Sequence, residues 1–401
     1  MLWSFALRKL IKKGRLTVTD ANGTTHHFGG SSALPSCAIR LHDRSLHYKL
    51  LLKPDLYFGE AYMDKTLTIE QGDIRELMTL FCTNIATMPK MAWEPIEQHL
   101  SPLLSRLQQM NPLQKSKENV AHHYDLSERL YRLFLDKDMQ YSCAYFETPQ
   151  DSLEQAQYNK KAHIAAKLRL QPGMKVLDIG CGWGGMAIFL AKQFGVEVIG
   201  ITLSEEQYRI AVGRASAEGL SDKVKFELRD YRDVTGQYDR IVSVGMFEHV
   251  GLPHYKAFFK RIESLLTDDG IALIHSIGRM DGPGTTPPWL RKYIFPGGYA
   301  PALSEVLPHI EHGGLFAGDI EILHLHYAET LKAWHQRFVQ NRLEISTIYD
   351  ERFCRMWEFF LLGAEMDFRY LGTMVFQIQL VKNIRAIPMT RDYMYTDADA
   401  Y

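Results

Sequence analysis

Gly180, Gly182, Gly184 and Gly185 interrupt an apolar stretch that runs KVLDIGCGWGGMAIFLAKQFGVEVIGITLSEEQ over residues 175–207. These are the residue types of a turn that meets a ligand. A backbone that bends with φ > 0 and comes within contact distance of another molecule needs positions without a Cβ. Gly180-x-Gly182-x-x-Gly185 by itself satisfies the dinucleotide pattern G-x-G-x-x-G. The flanking residues point elsewhere. Asp178 precedes the loop, Gly184 adds a further alternating glycine, and Thr202 stands where nicotinamide-binding enzymes place an acidic residue for the ribose. Ser204-x-x-Gln207 has capping-box spacing, so Gln207 is both a candidate helix cap and a candidate ligand donor.

The elements around the loop position it. Val176, Leu177 and Ile179 predict a short buried strand, residues 186–194 a helix and residues 196–201 a second strand. Together they form a βαβ half-unit whose ligand crevice lies at the carboxyl ends of the strands. Further strands are predicted at 224–228, 240–244, 270–276 and 373–380, with helices between them and at 328–341 and 348–360. That alternation specifies an α/β, doubly wound, largely parallel sheet. Capping-box patterns at Asp125 with Glu128 and at Asp151 with Glu154 open two helices upstream, after a polar linker at 101–117. Residues 1–115 read as a small α+β amino-terminal domain and linker. It has a helix at 2–12 and a hairpin turning at Asn22-Gly23 between strands 16–19 and 24–28. Alternating segments at 38–41 and 46–52 and helical runs at 55–63 and 73–87 complete it. The Pro- and Gly-rich segment 282–318, with Trp289, Tyr293, Phe295 and Tyr299, predicts a substrate-covering insertion spanning about 280–370. Residues 386–401 lack periodicity and read as a mobile tail.

Composition narrows the function classes. The 401 residues suffice for two or three domains, and 46% apolar with 23% charged residues is the balance of an ordinary globular chain. A formal net charge of −1 argues against a nucleic-acid partner held by a phosphate field. Arg8, Lys9, Lys12, Lys13 and Arg15 lie among or just after Leu2, Trp3, Ala6, Leu7, Leu10 and Ile11 at helical spacing. That helix either packs on its own domain or lies against an acidic membrane surface. Five widely spaced cysteines without a C-x-x-C predict neither a disulfide framework nor a metal site, and a reducing, cytoplasmic location. No apolar run reaches the roughly 18 residues of a membrane span. The start lacks a signal-peptidase-like site after a long apolar core.

DIGCGWGG followed by GITLSEEQ resembles the S-adenosylmethionine site of class I methyltransferases, and specifically of cyclopropane fatty acid synthases and their mycolic acid relatives. QYSCAYF at 140–146, YDRIVSVGMFEHVG at 238–251, LIHSIG at 273–278 and YIFPGG at 293–298 carry the same resemblance in the same order. It is close from about residue 122 to 379, whereas 1–115 resemble only the amino-terminal domain of the longer bacterial members. The resemblance implies a Rossmann-like class I methyltransferase domain over 116–385 that uses S-adenosylmethionine. By this likeness Gly180 and Gly182 approach the methionine part, with Asp178, Gly184 and Leu203 in the same site. Thr202 and Gln207 take the ribose hydroxyls, Asp230 and Tyr231 border the adenine, and Tyr141 and Ser142 close over the donor.

The implied acceptor is an alkene in the unsaturated acyl chain of a membrane phospholipid, met at the inner face of the membrane, with a homodimer as the expected assembly. Methyl transfer to an alkene creates a carbocation that water would trap, so the site must be dry and lined by π-faces. A base then strips a proton from the new methyl to close a three-membered ring. In the family that base is bicarbonate, and the positions matching its cradle are Cys143, Glu248, His275, the backbone at Ile277, and Tyr327. Taken singly these residues have ordinary explanations: a small buried hydrophobe for Cys143, a helix amino terminus for Glu248 and His249, a satisfied core histidine for His275. Ala364 stands where certain family members carry a cysteine, so no catalytic thiol is expected there. Three rivals stay open: a relative yielding a methyl-branched or methylene product, a small-amine N-methyltransferase, and a non-enzymatic lipid-binding protein.

Overall fold

The computed structural model describes residues 3–30, 35–87 and 127–395. Its contacts divide the chain into two compact units. One comprises Met1–His99, Thr286–Pro296 and Leu331–Gly372, the other Leu100–Thr285, Gly297–Thr330 and Thr373–Tyr401. The boundaries expected at 115/116 and 385/386 are linear, whereas here the segment 280–370 is shared out between the units.

In the first unit β1 (Arg15–Thr19), β2 (Thr25–Gly29), β3 (Ser36–Leu41) and β4 (Leu67–Gln71) form a sheet in the order β2-β1-β3-β4. The hairpin β1–β2 turns at Gly23 with φ of 83°, and the Asp20 carboxylate accepts from the backbone N–H of Asn22 and Thr24. The alternating segment read at 46–52 is a helix, Leu46–Leu52. Asp43 accepts from the N–H of Ser45 just before it, and Leu46 and Leu50, one turn apart, are buried. Period-two and period-four patterns coincide over so few residues, and packing selects the second. The core joins Leu16, Val18, Ile39 and Leu77 to Leu362 and Met366 of the helix Glu351–Tyr370. The helix Ser4–Leu10 belongs to that core through Trp3, Leu7 and Ile11, which is the internal-packing reading of its apolar stripe.

In the second unit β5 (Lys175–Ile179), β6 (Glu197–Thr202), β7 (Val224–Leu228), β8 (Tyr238–Val244), β9 (Leu266–Arg279), β10 (Phe316–Ile322) and β11 (Thr373–Val381) form the sheet β10-β11-β9-β8-β5-β6-β7. From β9 to β7 neighbouring strands are parallel, while β11 is antiparallel to both β9 and β10. The parallel strands are nearly continuous in apolar residues because both faces are covered. One core gathers Phe247, Tyr255, Phe258 and Ile262, the other Ile164, Leu168, Leu190 and Val198.

Several expectations are corrected. β10, FAGDIEI, is a half-exposed edge strand carrying Gly318 and Asp319, so it lacks the apolar run that marks its neighbours. The segment 282–318, read as a substrate-covering insertion, contains the helices Pro288–Tyr293 and Leu303–Glu311. Ser152, not Asp151, caps the helix Leu153–Leu168, its hydroxyl accepting from Gln155 N–H at 3.2 Å. Asp125 and the linker at 101–117 lie outside the described residues. The tail packs as far as it is described: Met394 is buried, and Tyr393 and Gln379 hydrogen-bond through their side chains. Among the described residues no helix is long and apolar enough to cross a membrane, and no cluster of His, Cys, Asp or Glu could hold a metal ion.

Candidate active site

The order of the parallel strands reverses at β5, which has β6 on one side and β8 on the other, and a cavity opens there at the carboxyl ends of the strands. Gly180 and Gly182 line it with φ of 81° and 54°. A Cβ on Gly180 would lie 2.8 Å from the Cβ of Met246, whereas one on Gly182 would meet no protein atom within 4 Å. Gly182 is therefore the point where backbone faces open cavity. Gly184 is a correction: it does not line the cavity, and its Cβ would fall 2.6 Å from the Phe226 ring. Its absent side chain lets the helix Gly185–Phe194 start against β7, a packing reason for glycine at this position.

Asp178 is buried at the cavity wall, and its Oδ2 has no hydrogen-bond partner among the described residues. Burial raises its pKa to about 7 against the opposing charge of Lys160. An orphaned buried carboxylate oxygen is costly until a donor reaches it. The ammonium group of S-adenosylmethionine can donate to that oxygen, so the residues fit this group. Thr202 donates its hydroxyl to Gln207 Oε1 at 2.9 Å, and Ser204 Oγ accepts the Gln207 backbone N–H at 3.3 Å. Gln207 thus takes the cap through its backbone and presents only its side-chain amide N–H groups to a ligand. Thr202 is committed to orienting it. Asp230 is clamped bidentately by Arg232, and Tyr231 and Leu203 complete this side of the cavity. Tyr141 and Ser142 also line the cavity. Lys160, fully buried, donates to Ser142 Oγ at 2.9 Å and Gln140 Oε1 at 2.6 Å, so the helix Leu153–Leu168 holds this segment in place. Burial lowers the Lys160 pKa to about 8.

The second constellation lies at the ends of β8 and β9. Glu248, on the short turn Phe247–His249, accepts the backbone N–H of Ile277 on Oε1 at 2.8 Å, while its buried Oε2 has no hydrogen-bond partner in good geometry among the described residues. Burial raises its pKa to about 7. Ile277 has one N–H and spends it on Glu248, so it orients that carboxyl rather than standing free for an anion. His275 is buried in β9 and accepts on Nδ1 from Gln377 at 3.1 Å. Burial and the charges of Lys160 and Lys167 lower its pKa to about 3, which keeps it neutral. The buried Cys143 thiol is pushed up by burial and meets Ala144 O at 3.3 Å, so it is no nucleophile. Ala144 N–H donates to Thr330 Oγ1 at 3.0 Å, one turn beyond the buried Tyr327 on the helix His326–Gln340. The charge of Lys160 bears on Cys143, Asp178 and His275 alike, second to their burial.

Lys160 and Gln377 are absent from the residues that sequence reasoning selects. Lys160-Lys161 reads as a solvated helix face, and no periodicity marks it as buried. Gln377 and Gln379 interrupt an otherwise apolar strand, a signal that was available. His249, whose neighbour was selected, also lines the cavity.

The mycolic acid cyclopropane synthetase family model matches residues 111–378, and that of a domain of unknown function matches residues 3–89. The chain belongs to the mycolic acid cyclopropane synthetase family. It is thus an S-adenosylmethionine-dependent methyltransferase of the class I fold. It is 36% identical over 354 residues to the cyclopropane-fatty-acyl-phospholipid synthase of Escherichia coli K12, covering 86% of this chain and 88% of that protein. Identity to a probable fatty acid methyltransferase of Pseudomonas putida is 39% over 290 residues, or 69% of this chain and 73% of the other. Among solved structures, mycolic acid cyclopropane synthase CmaA1 complexed with SAH and CTAB superposes with a TM-score of 0.64 at 32% identity, over 68% of this chain and 99% of that one. Family membership sets the small-amine and non-enzymatic readings aside.

Proposed function

We propose that this enzyme adds a methylene group from S-adenosylmethionine across the cis double bond of an unsaturated acyl chain in membrane phospholipid, forming a cyclopropane ring. The observation that carries the reading is the buried Oε2 of Glu248, without a hydrogen-bond partner among the described residues, on a carboxyl anchored to Ile277 two residues beyond the neutral His275 of β9. S-adenosylmethionine, when bound, supplies the methyl group to one alkene carbon and leaves positive charge on the other. Bicarbonate, when bound, supplies the base that takes a proton from the new methyl as its carbon bonds to the second alkene carbon. Glu248, His275 and Tyr327 are the side chains that would hold it, and a small anion among them answers the orphaned oxygen. Around the donor, Asp178 and the open face of Gly182 accommodate the methionine part, Gln207 the ribose, and Asp230 with Tyr231 the adenine. Ser142, tied back to Lys160, and its neighbour Tyr141 close over the cavity and exclude water, which the cation requires. Identity to a fatty acid methyltransferase favours a second reading, a methyl-branched or methylene product from the same sites. Lipids from cells expressing the protein test both. Acyl chains heavier by one methylene are expected, with ring protons in the NMR spectrum; a branch methyl in their place selects the second reading, and unaltered lipids reject both.

The acceptor is membrane-borne, so the enzyme must meet an acidic bilayer at the cytoplasmic face. Support comes from the helix Leu46–Leu52, which exposes Tyr48, Leu51 and Leu52 beside Lys49 and Lys53, and from exposed Phe5 under Lys9. Burying two leucines in an interface contributes on the order of 3 kcal/mol. Leu51→Glu with Leu52→Glu is therefore expected to weaken co-sedimentation with acidic vesicles by at least about tenfold. Equal sedimentation of both proteins would rule this surface out.

A further inference from the structure

A row of polar side chains crosses three adjacent strands where the sheet is otherwise apolar. His275 on β9 is directly opposite Gln377 on β11, and Gln377 is directly opposite Glu321 on β10. His163 and Lys167, one turn apart on the helix Leu153–Leu168, lie over the row. Lys167 donates to Gln377 Oε1 at 2.7 Å and pairs with Glu321, and His163 meets the same carboxylate at 2.7 Å. His275, Gln377 and Lys167 are each at most 2% exposed, so water cannot substitute for any of these partners.

The chemistry of the row has one consistent assignment. A lysine ammonium only donates, so the end of the Gln377 amide that faces Lys167 is the oxygen. The other end, facing His275, is then the NH2 group, which only donates. The Nδ1 of His275 must accept, and a neutral imidazole that accepts on Nδ1 carries its proton on Nε2. Nδ1 is the ring nitrogen that the sheet occupies, which leaves Nε2 as the donor. We infer that Lys167 and Gln377 are positioning residues that lock His275 as the Nε2–H tautomer, making it an obligatory hydrogen-bond donor to the small anion held beside Glu248. The last clause rests on the bicarbonate reading above; the tautomer does not. Reversing any link reverses the outcome: an acceptor in place of the Gln377 NH2 draws the proton to Nδ1 and leaves Nε2 a lone pair that repels an anion.

Gln377→Glu is that reversal at constant shape, since Lys167 keeps its partner while His275 faces an acceptor. The tautomer is read from the 15N shifts of histidine-labelled protein at pH 8, with the His275 signals identified by their loss in His275→Gln. The unsubstituted protein is expected to show a protonated Nε2 and unprotonated Nδ1, and Gln377→Glu the inverse. The bicarbonate concentration for half-maximal turnover should rise at least about tenfold in Gln377→Glu with donor affinity within about twofold. Lys167→Met, which frees the Gln377 amide to flip, should raise it too, and Lys167→Arg should restore it. An Nδ1–H signal in the unsubstituted protein overturns the assignment whatever the anion does. An inverted tautomer with unchanged bicarbonate dependence overturns its link to the anion. An unsubstituted enzyme indifferent to bicarbonate sinks the anion reading and leaves the tautomer standing.

Discussion

Gly182→Val is expected to abolish S-adenosylmethionine binding, lowering affinity by at least about a hundredfold in calorimetry, while the protein remains folded. The added Cβ would meet no protein atom within 4 Å, so the new side chain displaces nothing but ligand. Its cost to the fold is conformational. At φ of 54° a β-branched residue is strained by roughly 1–2 kcal/mol, a drop of a few degrees in Tm for a domain of this size. The same change at Gly184 should act the other way round, because there the side chain would collide with Phe226 inside the packing of a helix on β7. Donor affinity retained in Gly182→Val would remove the glycine loop from the donor site.

Glu248→Gln is expected to inactivate the enzyme and at the same time stabilise it at neutral and alkaline pH. Burial raises the pKa of Glu248 from 4.5 to about 7. Between those values the folded protein retains a proton that the unfolded chain has released, so stability falls as pH rises through this window and stays lowered above it. At 1.36 kcal/mol per unit the accumulated cost is about 3 kcal/mol. Glutamine carries no charge, is isosteric and can still accept the Ile277 N–H. The variant should therefore unfold at higher denaturant than the parent at pH 8, with the difference vanishing near pH 4.5. Turnover should fall at least about a hundredfold with donor affinity nearly intact. Equal stability at both pH values would show that Glu248 does not ionise in a buried site. Loss of donor binding would show that it serves the donor and not ring closure.

This coupling of inactivation to stabilisation is what a site built of unsatisfied buried carboxyls implies. Asp178, with its orphaned Oδ2 and raised pKa, has the same signature at the donor cavity. Each oxygen is without a hydrogen-bond partner among the described residues, so a ligand that donates to it displaces no protein hydrogen bond.

Much of this was legible in the chain alone, and what was legible was local. The loop from Gly180 to Gly185 sets its own conformation within a few residues, and the apolar strands before and after it announce a doubly wound sheet through their length and spacing. The helix in place of the alternating segment 46–52 and the unread edge strand β10 failed for a local reason too: short elements carry too few residues to separate their periods. Other features had no local cause. Whether Gly184 touches a ligand or the Phe226 ring depends on where β7 comes to rest, and whether the single N–H of Ile277 is free depends on Glu248 arriving 29 positions away. Lys160 is indistinguishable from a surface lysine until Gln140 and Ser142 fold over it. The proton on His275 is decided by Gln377 and Lys167, about a hundred residues away along the chain in either direction. A polar side chain's role in a buried site is set by which donors and acceptors surround it, and only the tertiary structure brings those together.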